Sequence, residues 1–289
     1  MKTRDELIDE LIDLAFAEDI GDGDATTLCS IPADEMGRSR LIIKEEGILA
    51  GVEMAKKVFD KFDPELKMTT YIEDGAHVKP GDIAFIVEGK VQSLLQTERL
   101  MLNIMQRMSG IATVTARYQK ELEGLHTKVL DTRKTTPGMR IMEKDAVKIG
   151  GGCNHRIGLF DMILLKDNHV DFAGGITSAL TRARDYCKAK GKDLKIEIEV
   201  RNDEELAEAL GTGIPDRIML DNYTPEHTAE AVKTIREWEK SHRKMEIESS
   251  GGITIDTLRN YALTGVDFVS VGALTHSYKS LDMSFKAVR

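Results

Sequence analysis

The chain has 289 residues, 41% hydrophobic and 31% charged, enough for two domains or for one large domain with an extension. Its formal charge of −9 argues against a general affinity for nucleic acid or anionic membranes, and no apolar run of about 18 residues is present to span a bilayer. The three cysteines (Cys29, Cys153 and Cys187) form no CxxC pair, which points to a reducing cytoplasm and against structural zinc or a disulfide framework.

The opening stretch, MKTRDELIDELIDLAFAED, reads as an acidic amphipathic helix rather than a signal peptide. EDIGDGDATT follows. Counted from Asp19, its twelfth position is Ser30 and not Glu, so the calcium-loop pattern fails and turn or helix-cap chemistry is the better use of these residues. Strand-like stretches come near SRLIIKEEG, KMTTYI and DIAFIVEG, the last after a Pro80-Gly81 turn signal. A long helical run, SLLQTERLMLNIMQRMSGIATVTARYQKEL, then carries apolar residues at 3.6-residue spacing.

From about residue 128 the texture changes to short apolar strands alternating with longer helical patterns. The candidate strands are KVLDT, MILLK, KIEIEV, RIMLD, MEIES and DFVSVG; helices such as GITSALTRARDYCKAKG, DEELAEALG, PEHTAEAVKTIREWEKS and IDTLRNYALTG lie between them. Strict β–α alternation implies parallel strands with right-handed crossovers, hence a barrel-like sheet of six strands, with a doubly wound open sheet as the competing architecture. Charge concentrates where such strands end. Asp131, Arg133 and Lys134 close the first, Lys166 the second and Asp221 the fourth; Glu197 and Glu199 share one face of the third, and Glu246 and Glu248 alternate in MEIES. Strand-end charges can simply solvate loops, but together they favour an active site at the carboxyl end of the sheet.

Two segments offer phosphate chemistry. ESSGGITIDTLRNY runs strand, Ser-Ser-Gly-Gly, helix, and the next strand ends in VSVGALTHS; glycines admit close backbone approach and a helix amino terminus offers free N–H groups. Residues 131–169 form a basic island, with seven Lys/Arg against five Asp/Glu in an acidic protein. Within it DTRKTTPGMR and GGGCNHRIGLFDMILLKDNH supply Arg133, Lys134, Arg140, His155, Arg156 and Lys166, suited to carboxylates and phosphates. Cys153 lies among them without a base–nucleophile pattern. No Walker A, HExxH or GxSxG motif occurs.

These segments, together with EEGILAG, HVKPGDIAFIVEGK, IEIEV, IMLDN and ESSGGIT, closely resemble the quinolinate phosphoribosyltransferase (nicotinate-nucleotide pyrophosphorylase, carboxylating) family, almost end to end. The resemblance implies an incomplete, open-faced α/β barrel over residues 113–275, and an α/β sandwich made from residues 1–112 with the tail 276–289. It implies a homodimer in which the sandwich of one subunit covers the barrel mouth of the other, with Arg107 reaching the partner's site. It implies that phosphoribosyl diphosphate and quinolinate, with Mg²⁺, give nicotinate mononucleotide, pyrophosphate and CO₂. In that reading Arg107, Arg133, His155 and Arg156 clamp the two carboxylates, and Lys134 and Lys166 face carboxylate or phosphate. Glu199 and Asp221 stabilise an oxocarbenium-like transition state and hold Mg²⁺ directly or through water. Ser250, Gly251, Gly252 and Gly272, with His276 close by, take the 5-phosphate. Glu197 shares a face with Glu199, so either glutamate could serve. Rival readings are the same scaffold acting on nicotinate, a barrel lyase using Lys166 as a Schiff base, and a non-catalytic sensor of a phosphoribosyl ligand.

Overall fold

A computed structural model describes residues 2–288. The chain begins with α1 (Arg4–Ile20), α2 (Ala25–Ser30), β1 (Met36–Ile43), β2 (Gly47–Ile48) and α3 (Val52–Phe62). Then come β3 (Lys67–Thr70), β4 (His77–Val78), β5 (Ile83–Lys90), the 31-residue α4 (Val91–Glu121), β6 (Lys128–Leu130) and α5 (Arg140–Ile149). The β–α series continues with β7 (Ile163–Leu165), α6 (Asp167–Ala173), α7 (Ile176–Lys190), β8 (Ile196–Val200), α8 (Asp203–Thr212) and β9 (Arg217–Asp221). It ends with α9 (Pro225–Glu239), β10 (Glu246–Ser250), α10 (Ile255–Ala262), β11 (Phe268–Ser270), α11 (Ala273–His276) and β12 (Met283–Ala287). Two compact units form. The first holds the residues through Ala116, Thr135–Gly151 and those from Leu274 onward; the second holds Arg117–Lys134 and Gly152–Ala273.

In the first unit an antiparallel sheet runs β12-β1-β5-β3. Period-two burial along β1 puts Leu41 and Ile43 inside, and α3 lays Ala55, Val58 and Phe59 into the same core. The rings of Phe59, Phe85 and Phe285 meet there at 6.1–6.4 Å between centroids. Phe285 stands opposite Leu41, so the carboxyl-terminal tail supplies an edge strand of this sheet. Thr3 and Glu6 form the capping box that starts α1.

The second unit is the barrel. Its six parallel strands run β6-β11-β10-β9-β8-β7, so β7 to β11 follow one another around the sheet and β11 returns to β6. Nothing pairs β6 with β7 among the described residues, which leaves the barrel incomplete and open-faced there; Cys153 makes only a lone parallel bridge to Leu130. A doubly wound sheet would reverse its strand order, and this one does not. All five residues of β8 are buried: Ile196, Ile198 and Val200 on one face, Glu197 and Glu199 on the other. Crossover helices start on side-chain caps, Asn202 for α8 and Thr224 followed by Pro225 for α9.

Elements outside the stretches read from the sequence as helix or strand include α3, α5, α6 and β12. Helix α5 buries Met142, Ala146 and Val147 at helical spacing, and with them, fully buried, Glu143 and Lys144. Glu246 also differs from a carboxyl-end role. It opens β10, beside Arg217 and 3.0 Å from Lys195, at the amino end of the sheet. Among the described residues no helix is long and apolar enough to cross a membrane.

Candidate active site

The carboxyl ends of the barrel strands gather the second unit's functional groups in two layers. In the upper layer Lys166, which follows β7, places its Nζ 2.9 Å from Glu199 Oε2 at the end of β8. The lysine side chain is 46% exposed, while that of Glu199 is buried. Asp221 ends β9. Its Oδ1 accepts from Ser250 Oγ at 2.8 Å and its Oδ2 from Asn222 Nδ2 at 2.6 Å. Asn222 is the one non-glycine residue with positive φ, at 56°, among the described residues, and its N–H donates to the Ser250 carbonyl at 2.9 Å. The β9 and β10 loops are thereby tied together beneath Gly251 and Gly252, whose φ values are +101° and +59°. A Cβ on Gly251 would lie 2.2 Å from Asn222 Oδ1, so only glycine fits; at Gly252 no atom lies within 4 Å of that position, which leaves open space. Thr254 caps α10 just beyond.

One layer deeper lies an ionic cluster. His155 Nε2 is 2.9 Å from Glu197 Oε2 and 3.5 Å from Glu248 Oε2; Arg217 Nη1 is 3.0 Å from Glu248 Oε2 and 3.9 Å from Glu197 Oε2. Arg217 also donates through Nε and Nη2 to Glu246, and its guanidinium stacks 4.4 Å from the Phe268 ring centroid. Glu197 and Glu248 have no exposed surface. Burial pushes the Glu197 carboxyl up to about 7 against the pull of Arg217; burial and then the charge of Glu197 push Glu248 to about 7, with His155 and Arg217 opposing. His155, Glu197 and Glu248 have metal-ligand atoms within 4.8 Å of one another, but Arg217 already supplies the compensating charge, so the group reads as a structural ion network.

The loop between β6 and α5 and the segment leading into β7 supply cations. Arg156 is buried, donates through Nη1 to the Met162 carbonyl at 3.3 Å, and is held below the usual guanidinium range by burial and then by the charge of Arg133. Arg133 Nε is buried without a hydrogen-bond partner among the described residues. Asp131, wholly buried, accepts from the His155 backbone N–H at 2.8 Å and so fixes this segment to the end of β6. Lys134 is exposed.

Comparison with known proteins follows the same lines. Residues 24–109 match the family description "Quinolinate phosphoribosyl transferase, N-terminal domain", and residues 111–286 match its C-terminal domain. The chain is 41% identical over 276 residues to a probable nicotinate-nucleotide pyrophosphorylase [carboxylating] of Bacillus subtilis, covering 95% of this chain and 91% of that one. It is 41% identical over 286 residues to quinolinate phosphoribosyltransferase [decarboxylating] 1b of Nicotiana tabacum, covering 96% and 81%. The solved nicotinate-nucleotide pyrophosphorylase of Francisella tularensis superposes with a TM-score of 0.90 at 38% identity, covering 99% of this chain and 98% of that one. The chain belongs to the quinolinate phosphoribosyltransferase family.

Within that family frame, the motif residues fall into distinct groups. Lys166 with Glu199, and Asp221 with Ser250, are in direct contact; Arg133 and Arg156 are electrostatic neighbours. Gly272 follows β11, and His276 ends the four-residue α11 with its Nδ1 2.8 Å from Ser277 Oγ. His155, expected as a carboxylate clamp, is buried with Nε2 turned to two protein carboxylates. Arg107 lies in the first unit, bonded to Glu143 and Thr136. Of the two glutamates left open on β8, Glu199 meets Lys166 and Glu197 belongs to the ion network. Motif reading passed over Arg217 and Asn222. The first looks like an ordinary solvated strand start, and the second shows itself only through its backbone conformation.

Proposed function

We propose that this chain transfers the phosphoribosyl group of phosphoribosyl diphosphate to the ring nitrogen of quinolinate, giving nicotinate mononucleotide, pyrophosphate and CO₂. The observation that carries the reading is the Arg133–Arg156 pair: two buried or half-buried guanidiniums that repel one another, one with an unpartnered Nε, beside a family match over both domains. Unmet buried donors cost about 1–3 kcal/mol, and a dicarboxylate relieves both the repulsion and the lost bond.

The ring nitrogen attacks the anomeric carbon as pyrophosphate departs, and positive charge develops on the ribose. Glu199 and Asp221 are the anions available to oppose it, and Lys166, paired with Glu199, can turn to phosphate or carboxylate. The Ser250–Gly251–Gly252 loop ahead of α10 offers backbone N–H groups to the 5-phosphate, with Gly272 as the second loop and His276 near it in the chain. Once the nitrogen is quaternary, its charge stabilises the electron pair left when the adjacent carboxylate leaves as CO₂. A proton then takes that pair.

Glu199 and Asp221 present only hard oxygen donors and fit Mg²⁺ held through water, the ion supplying charge neutralisation on the departing pyrophosphate. The working enzyme in this proposal is a cytoplasmic homodimer without nucleic-acid partners, in which Arg107 of each subunit serves the other's site. The charge of −9 supports the absence of nucleic acid. The test is incubation of the purified protein with quinolinate, phosphoribosyl diphosphate and Mg²⁺, with nicotinate mononucleotide and CO₂ measured. Turnover of nicotinate in place of quinolinate would overturn the substrate assignment. Recovery of activity on mixing Arg107→Ala with Lys166→Ala is expected for the shared site.

A further inference from the structure

Arg107 projects from α4, where its neighbours Met105, Met108 and Ile111 are all buried. Its guanidinium is held by a single nitrogen. Nη1 donates to the Glu143 carboxylate and, at 2.8 Å, to Thr136 Oγ1, while the Tyr278 ring lies 5.3 Å from Cζ. Glu143 has no exposed surface, and its second oxygen accepts the Thr136 N–H at 3.2 Å. Among the described residues Nε and Nη2 of Arg107 have no hydrogen-bond partner. These two carry the parallel N–H pair that matches a carboxylate, and the side chain is 26% exposed.

A carboxylate shut away from water is expensive unless it is hydrogen-bonded, so its place in α5 calls for a reason. Both oxygens of Glu143 are used, one on Arg107 and one on the Thr136 backbone. The anchor therefore fixes rotation of the guanidinium plane and spends only the nitrogen that a bidentate grip does not need. We propose that Glu143 is a positioning residue for Arg107, helped by Thr136 and Tyr278, and that it presents the Nε–Nη2 edge to a carboxylate of quinolinate in the partner's site. This rests on the shared-site reading above. Thr136 also lies two residues past Lys134 in the same loop, so a rival role for Glu143 would be to shape the loop of its own subunit's site.

Mixed dimers separate the two. Glu143→Gln keeps the volume and removes the charge; its KM for quinolinate is expected to rise about tenfold with the KM for phosphoribosyl diphosphate little changed, the cost of an unfixed arginine. Mixed with Lys166→Ala, it should regain the wild-type KM, because the one intact barrel then receives Arg107 from a subunit with Glu143. Mixed with Arg107→Ala, it should keep the raised KM. The opposite pattern, rescue by Arg107→Ala and none by Lys166→Ala, would overturn the proposal in favour of the loop role. An inactive mixture of Arg107→Ala with Lys166→Ala, despite proven subunit exchange, would sink the shared site itself and the proposal with it. Thr136→Val, which removes only an acceptor hydroxyl, should show the same pattern more weakly. If both variants lost the folded dimer while Arg107→Ala kept it, Glu143 would be a folding residue and the proposal wrong.

Discussion

Replacing Gly251 by alanine tests the phosphate loop on a small scale. The new methyl would sit 2.2 Å from Asn222 Oδ1, 2.6 Å from its Cγ and 2.9 Å from its backbone N, and the residue would have to keep a φ of +101°. The backbone conformation alone costs roughly 1–2 kcal/mol for an L-residue. Overpacking against groups that cannot retreat adds about 1–3 kcal/mol. Asn222 cannot retreat easily, because its N–H is bonded to the Ser250 carbonyl and its amide to Asp221. Gly252→Ala provides the control: it carries the backbone cost at φ +59° with no atom within 4 Å of the new methyl. Thermal melting should put Gly251→Ala several degrees below Gly252→Ala. Steady-state kinetics should show the larger rise in KM for phosphoribosyl diphosphate at Gly251, since a shifted Asn222 carries Asp221 and Ser250 with it. Equal melting points and equal KM values would refute the claim that contact with Asn222, and not glycine's backbone freedom, dictates this position.

Arg217→Met should destabilise the chain by about 3–5 kcal/mol by stranding Glu248 and Glu197 without their guanidinium, and adding Glu248→Gln should recover part of that loss in urea unfolding; no recovery would speak against the ion network. The Glu248 carboxyl is raised from 4.5 to about 7, so the folded state holds its proton more tightly and the stability this confers is complete below about pH 4.5 and lost as pH rises through about 7. Wild type should thus lose up to about 3 kcal/mol relative to Glu248→Gln across that window, and a pH-independent difference would contradict the assignment. Lys166→Ala should lower kcat by about a hundredfold or more while the melting point falls by only a few degrees, since the lysine side chain is half open to solvent and water can take its place on Glu199. Asp221→Asn should raise the Mg²⁺ concentration needed for half-maximal rate without changing the KM for quinolinate, and an unchanged Mg²⁺ dependence would remove Asp221 from the metal site.

The barrel was legible because its strands advertise themselves. In KIEIEV the alternation of Ile196, Ile198 and Val200 with two glutamates gives both the strand and the side the charges face. Periodicity has no coordinate for depth, however. Glu197 and Glu199 are equivalent in sequence, and only the register that sets Glu197 beside Arg217 and Glu199 beside Met219 separates an ion-network residue from one that meets Lys166. His155 shows the same lack of depth. Its NHR motif and basic surroundings suggest a ligand for carboxylates, and in the fold it does face carboxylates, but they are the protein's own.

Helix α5 shows a different limit. Its apolar residues Met142, Ala146 and Val147 keep helical spacing and are buried, but Glu143 and Lys144 are wholly buried too, and periodicity does not announce buried charge. Its start gives no help, because Met139 makes no side-chain cap. Buried charge marks where the fold is accepting a cost, since each such group must find a partner in place of water. Two such places among the described residues are the Arg217 network beneath the barrel mouth and the Glu143–Arg107 pair. Both lie behind residues that the family motifs assign to the substrate. The same logic separates them from the Lys166–Glu199 pair, whose half-exposed lysine is free to exchange one anion for another during a reaction.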